Sequence, residues 1–128
     1  MIVDASAVTS IFLRKAGCER LIDALAGAPA AGIGAPTLAE ASLLLAREAG
    51  RDVHGMLARF VQEFDLAIVP FSDAHFRAAL EAHQRFGQGQ HRAALDFGDC
   101  LTYATARLAR QPLLCDDRRF ALTDLELG

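Results

Sequence analysis

Four short runs of apolar or small residues, Ile2-Val3, Gly32 to Gly34, Leu66 to Val69 and Leu113 to Cys115, alternate with longer stretches whose apolar residues fall at helical spacing. Parallel strands need long crossovers, usually helical, so this alternation predicts a parallel sheet covered by helices. The helical stretches are LAEASLLLAREAG (38–50), HGMLARFVQEF (54–64), DAHFRAALEAHQRF (73–86) and DFGDCLTYATARLAR (96–110). A smaller helix or helix pair is expected within 6–26, broken near Gly17, and GAPAAG (27–32) reads as a turn into the second strand. Gly50 and Gly87 stand where C-cap glycines belong, and GQGQHRAA (87–94) reads as a loop. Phe60, Phe64, Phe76 and Phe86 fall at helical spacings typical of core.

At 128 residues the chain is expected to be one domain with one core. A net charge of -3 gives no global basic field, and Lys15 is the sole lysine among the cations. Cys18, Cys100 and Cys115 are widely spaced and contain no CxxC pair, so they predict buried thiols rather than a disulfide framework or a zinc site. No apolar run approaches the ~18 residues of a membrane helix, and a cytoplasmic protein is expected. GxSxG, P-loop and GxGxxG motifs are absent, which removes the common serine-hydrolase and nucleotide-binding readings.

The acids carry the chemistry. Asp4 follows the first strand, Glu40 is expected in the first turn of the helix after the second, Asp99 opens the helix before the last strand, and Asp116-Asp117 follows that strand. In a parallel sheet the carboxyl ends of the strands and the starts of the following helices share one edge, where ligands of such folds bind. Asp4, Glu40 and Asp117 converge there, and Asp99 joins them if its helix starts at the same edge. Taken singly, each is also a cap: Asp4 or Ser6 for the first helix, Thr37 with Glu40 as a capping box, Asp96 with Asp99 at a similar spacing, Asp116 or Asp117 for a short RRFAL turn. Together, four carboxylates on one rim repel unless a cation sits among them, and oxygen ligands of this kind suit magnesium or manganese. Such an ion can activate water and stabilise a leaving oxygen, as phosphodiester hydrolysis requires.

MIVDASAV at the start, TLAEASLLLA in the middle, FGQGQHRAALDFGDCLTYATA and the closing PLLCDDRRFALTDL together resemble the PIN domain of VapC-type toxins, the ribonuclease half of bacterial toxin–antitoxin pairs. The resemblance spans essentially the whole chain. It implies a single PIN-like domain over 1–128, a three-layer α/β/α sandwich with a central, mainly parallel sheet of four to five strands. It further implies a metal-dependent endoribonuclease using Mg2+ or Mn2+, with catalytic acids at Asp4, Glu40, Asp99 and Asp117, of which Asp4 and Asp99 are the metal ligands. Ser6 is expected to hydrogen-bond in the site and Thr37 to orient the Glu40 segment. Many relatives end with Lys-Gly-Asp/Asn-Asp-Phe where this chain has Asp116-Asp117-Arg118-Arg119-Phe120. The broader pattern of an acid three residues before the phenylalanine favours Asp117 over Asp116, which is left as a cap or an outer charge. Asp96 stands where relatives commonly carry asparagine.

RNA cleavage needs cations at the rim to hold the phosphate backbone; the candidates are Arg14, Lys15, His91, Arg92, Arg118 and Arg119. The apolar helical faces in 38–64 exceed what one side of a small sheet needs, and the resemblance assigns the surplus to a cognate VapB-type antitoxin and a homodimer interface. Two other readings compete. One is a catalytically silent PIN-like protein-binding module; the other is a receiver or haloacid-dehalogenase-like phosphoryl-transfer domain. The latter suffers because Lys15 lies too early to serve as a late-strand phosphate contact and Asp4-Ala5-Ser6 lacks a second aspartate.

Overall fold

The computed structural model describes residues 1–49 and 53–128. Its order is β1 (Ile2–Val3), α1 (Ala5–Phe12), α2 (Cys18–Gly27), β2 (Gly32–Gly34), α3 (Ala35–Ala49), α4 (His54–Glu63), β3 (Ala67–Val69), α5 (Asp73–Phe86), α6 (Phe97–Ala109), β4 (Leu113–Leu114) and a closing 3-10 turn, Arg118–Leu122. All four strands pair in parallel, in the order β3-β2-β1-β4. Ile2 registers with Gly32 on one side and Leu113 on the other. Beyond β4, Leu127 makes one further parallel bridge to Leu113, so a fifth strand is reduced to a single residue pair.

Successive strand residues point to opposite faces, and this sheet uses both. Val3, Ile33 and Leu114 join Leu21, Leu25, Leu45, Leu57 and Phe60 in a core formed with α1 to α4. Ile2, Leu113 and Cys115 join Phe86, Leu95, Tyr103 and Phe120 in a second core formed with α5 and α6. The result is a three-layer α/β/α sandwich. From β1 the chain steps outward to β2 and β3, then returns past β1 to β4. Crossovers of one hand that run in opposite directions must cover opposite faces, which accounts for the division of the helices. The point of reversal lies between β1 and β4, at whose carboxyl ends stand Asp4 and Asp116-Asp117.

Three expectations change here. Helix α3 starts at Ala35, not Leu38: Pro36 fits the first turn, where its missing N–H has no partner to lose. Thr37 and Glu40 therefore lie inside the helix, Glu40 in its second turn, and form no capping box. Gly87 does cap α5, but with extended backbone (φ -73°, ψ 168°). Its lack of a side chain matters for packing, since a Cβ would stand 2.5 Å from the His83 carbonyl oxygen. Phe76 is 58% exposed rather than core, while Phe60 and Phe86 are buried and Phe64 packs partly against the first core. Phe76 lies one turn from Leu80 on a face of α5 that borders an open groove, not the sheet. The C-cap expected at Gly50 lies outside the described residues.

The helix pair α1 and α2 breaks at Gly17 as expected. All three cysteines are free and buried. Among the described residues no helix is long and apolar enough to cross a membrane.

Candidate metal centre at the carboxyl edge of the sheet

Asp4 is the N-cap of α1 and is nearly fully buried, at 4% exposure. Three donors replace the water its carboxylate has lost: the Ser6 N–H (3.0 Å) and Ser6 Oγ (2.6 Å) on Oδ2, and Thr102 Oγ1 (2.8 Å) on Oδ1. The Thr102 hydroxyl has one proton and gives it to Asp4. Thr37 Oγ1, 3.1 Å away, is therefore the donor in the bond between the two threonines. On the other side, Ser6 Oγ accepts from the Asp116 N–H (2.9 Å), and Ser10 Oγ donates to Asp116 Oδ2 (2.5 Å). A chain of hydroxyls thus runs from Thr37 on α3 through Thr102 on α6 and Asp4 to Ser6, Asp116 and Ser10. It fixes the Asp4 carboxylate from both sides with neutral groups.

Helix α6 precedes β4 and so begins at the carboxyl edge. Asp96 is its N-cap, and Asp99 is its third residue. The two close a reciprocal box: Asp99 N–H to Asp96 Oδ1, 2.9 Å, and Asp96 N–H to Asp99 Oδ2, 2.9 Å. Asp99 is buried, and burial is the main reason its carboxyl is pushed up to about 7; the charge of Asp96 adds to this and Arg119 opposes it. Glu40 is half-buried, and its carboxyl is raised by burial first and by Asp4 and Asp96 next. Gly98 explains how Glu40 reaches the start of α6. A Cβ there would lie 3.0 Å from Glu40 Oε1 and closer still to Oε2, so glycine leaves the hollow that the carboxylate fills.

Asp117 caps the closing 3-10 turn by accepting from the Arg119 N–H (2.9 Å). Of the two candidates for this cap Asp117 takes it, and Asp116 is left as the outer charge. Burial pushes the Asp117 carboxyl up, but the bonds from Arg119 outweigh it and hold it below the usual range. Arg119 Nη2 lies 2.5 Å from Asp117 Oδ2 and 2.8 Å from Asp99 Oδ2. Asp117 therefore shares a cation with Asp99, whereas Asp116 faces Ser10 and, at 3.9 Å, Arg20.

The expected acids thus divide. Asp4, Glu40 and Asp99 gather around the start of α6, and Asp117 is joined to Asp99 through Arg119. Among the described residues no three His, Cys, Asp or Glu side chains stand close enough to enclose an ion. The donor set is nevertheless all hard oxygen, and magnesium needs only one or two carboxylates with water completing its shell, so Asp4 and Asp99 fit such an ion as an open site.

Of the expected RNA-contacting cations, Arg14, Lys15, Arg92 and Arg118 are exposed. His91 is tied into its loop: its Nδ1 accepts from the Ala93 N–H (3.0 Å) and its ring meets Phe86 edge-on. Sequence reasoning missed Thr102, Gly98 and Ser10, which carry no local pattern, and Arg20, which borders a hollow with Asp116, Asp117 and Arg118.

Comparison with known proteins agrees with this architecture. The PIN domain family model matches residues 1–125. Ribonuclease VapC36 of Mycobacterium tuberculosis is 42% identical over 127 residues, which span 98% of this chain and 91% of that protein. Among solved structures, VapC20 of Mycobacterium tuberculosis, described as a sarcin-ricin loop cleaving toxin, superposes with a TM-score of 0.77 at 17% identity, covering 97% of this chain and 95% of the other. A toxin-antitoxin complex from Klebsiella pneumoniae contains a chain with a TM-score of 0.72 at 16% identity, covering 99% and 95%. With the acid that follows β1 and those of α3 and α6 gathered at one edge of a matching fold, this chain belongs to the PIN-domain family, alongside the VapC ribonucleases.

Proposed function

We propose that the chain is the toxin of a type II toxin–antitoxin pair, an endoribonuclease that depends on Mg2+ or Mn2+ and acts as a single PIN domain over 1–128. The observation that carries this reading is the convergence of Asp4, Glu40 and Asp99 from three elements, with Asp4 held by Thr102, Asp99 by Arg119, and Glu40 received in the space left at Gly98. Asp4 and Asp99 are the residues that would hold the ion. When bound, it would supply positive charge to the scissile phosphate and lower the pKa of attacking water. Ser6, Thr102 and Thr37 orient the Asp4 carboxylate. Glu40, raised by its surroundings, is suited to accept and return a proton, and Asp117 completes the acid set through Arg119. Arg14, His91, Arg92, Arg118 and Arg119 would hold the RNA backbone by charge and hydrogen bonds.

A VapB-type antitoxin and a second copy of the chain are the proposed protein partners, in the cytoplasm. Exposed Leu43, Leu44 and Met56 on α3 and α4 supply the apolar surface expected of this region. A larger groove of about 510 Å³ lies beside it, lined by Phe76, Leu80, Leu95, Phe97 and Leu101. Phe97, 80% exposed, also borders the neighbouring hollow that contains Glu40.

The test is cleavage of structured RNA by protein freed of any partner. Activity with magnesium or manganese, lost in Asp4→Asn and Asp99→Asn proteins that remain folded, is the expected result. Full cleavage in excess EDTA would sink the metal-dependent reading. Tight association with an antitoxin and no cleavage of any RNA would instead identify a silent binding module.

A further inference from the structure

Arg119 is held unevenly. Its Nε lies 3.1 and 3.0 Å from the two Asp117 carboxylate oxygens, Nη2 lies 2.5 Å from Asp117 Oδ2, and its own N–H binds Asp117 Oδ1. Nη1 donates to the carbonyl of Ala94 (3.1 Å), a non-glycine residue with positive φ (49°) in the loop before α6. Only Nη2 reaches Asp99, at 2.8 Å, on the same oxygen that accepts from the Asp96 N–H. The guanidinium is therefore held by several bonds to Asp117 and Ala94 and by a single nitrogen to Asp99.

We propose that Arg119 is a built-in counter-cation beside Asp99 that competes with the divalent ion for that carboxylate. This rests on the metal-dependent reading above and makes Arg119 a positioning residue. Asp99 is buried and boxed with the neighbouring acid Asp96, and Arg119 supplies a cation to it from within the chain. Two cations at one carboxylate repel, so an ion that takes Asp99 does so against the charge of Nη2 and favours its displacement. The bonds from Nε and the backbone N–H to Asp117 do not involve Nη2 and survive that displacement. The displaced nitrogen remains at the rim, where a planar guanidinium suits a phosphate oxygen.

The experiment is a titration of the RNA-free protein with Mn2+, read by calorimetry and by the electron paramagnetic resonance signal of free ion. Arg119→Gln should bind Mn2+ about tenfold more tightly than the native chain, as expected when a charge-assisted competitor is lost. Arg119→Lys should fall between, because an ammonium keeps the charge but lacks the Nε and Nη1 bonds that hold the guanidinium in place. It also keeps a cation for folding, so its gain is measurable if the glutamine variant is too unstable. A purely structural role would weaken binding or leave it alone. Equal or weaker Mn2+ binding in both variants, with the native chain binding normally, overturns the inference alone. If the native chain binds no Mn2+ at millimolar concentration, the metal-dependent reading falls and takes the inference with it.

Discussion

Thr102 Oγ1 donates to Asp4 Oδ1 across 2.8 Å, although 98 residues separate the two in the chain. Both groups are buried, and the same threonine oxygen accepts from Thr37. Thr102→Val keeps the shape but removes one donor and one acceptor. It should cost about 1–3 kcal/mol of stability, measured by denaturant unfolding, and reduce RNA cleavage at least tenfold. Thr102→Ser should retain most of both.

Gly98 tests the role of Glu40 without touching a charged group. Alanine there gains about 1 kcal/mol of helix propensity, while its Cβ takes the space of the Glu40 carboxylate, the movable end of a flexible side chain. Gly98→Ala should therefore melt at or slightly above the native temperature yet lose cleavage to nearly the extent of Glu40→Gln. A variant with native cleavage would remove Glu40 from the reaction.

The buried Asp99 sets the pH dependence. Metal binding requires its carboxylate, and with a pKa of about 7 the ionised fraction rises roughly tenfold between pH 6 and pH 8, so Mn2+ affinity should rise about tenfold over that range. Asp96→Asn keeps a capping side chain but removes a neighbouring charge, and should move this profile to lower pH. In metal-free protein the sign reverses. The folded chain retains the Asp99 proton up to about pH 7, while the unfolded chain releases it near 3.8. Stability from this group is thus fully present below pH 3.8 and declines as pH rises toward 7. Melting curves in EDTA should show Asp99→Asn gaining on the native chain over that window.

Arg92 and Arg118 are exposed and lie near the acids along the sequence. Replacing either with alanine should weaken binding of a non-cleavable RNA several-fold and lower the salt dependence by about one unit each, whatever the RNA sequence. An unchanged salt slope would exclude them from the backbone contact.

The strands were legible because a sheet buried on both faces leaves near-continuous apolar runs, and Leu113-Leu114 is such a run. The start of α3 was not, because Thr37 and Glu40 imitate a capping box and Pro36 resembles a helix breaker; only the fold tells a first-turn proline from a stop. Within the candidate site, Asp4, Asp99 and Ser6 could be placed from their strand and helix ends. Thr102 and Gly98 could not, since one looks like any helical threonine and the other like a weak point in a helix. Arg119 was recognisable as a cation at the rim, but not as the partner of an aspartate 20 residues earlier. Phe76 misled because helical spacing identifies an apolar face without saying what covers it.

The hydroxyl chain from Thr37 to Ser10 has a consequence for synthesis. A nascent chain stopped before residue 98 carries Asp4 and Glu40 but lacks the hydroxyl that orients the first, the glycine hollow that receives the second, and the arginine that pairs with Asp99. No fragment that ends before Gly98 holds the hydroxyl or the hollow that this arrangement needs. The ribosome making the protein therefore faces an assembled acidic centre only after the segment through Arg119 has left the exit tunnel and folded back onto β1.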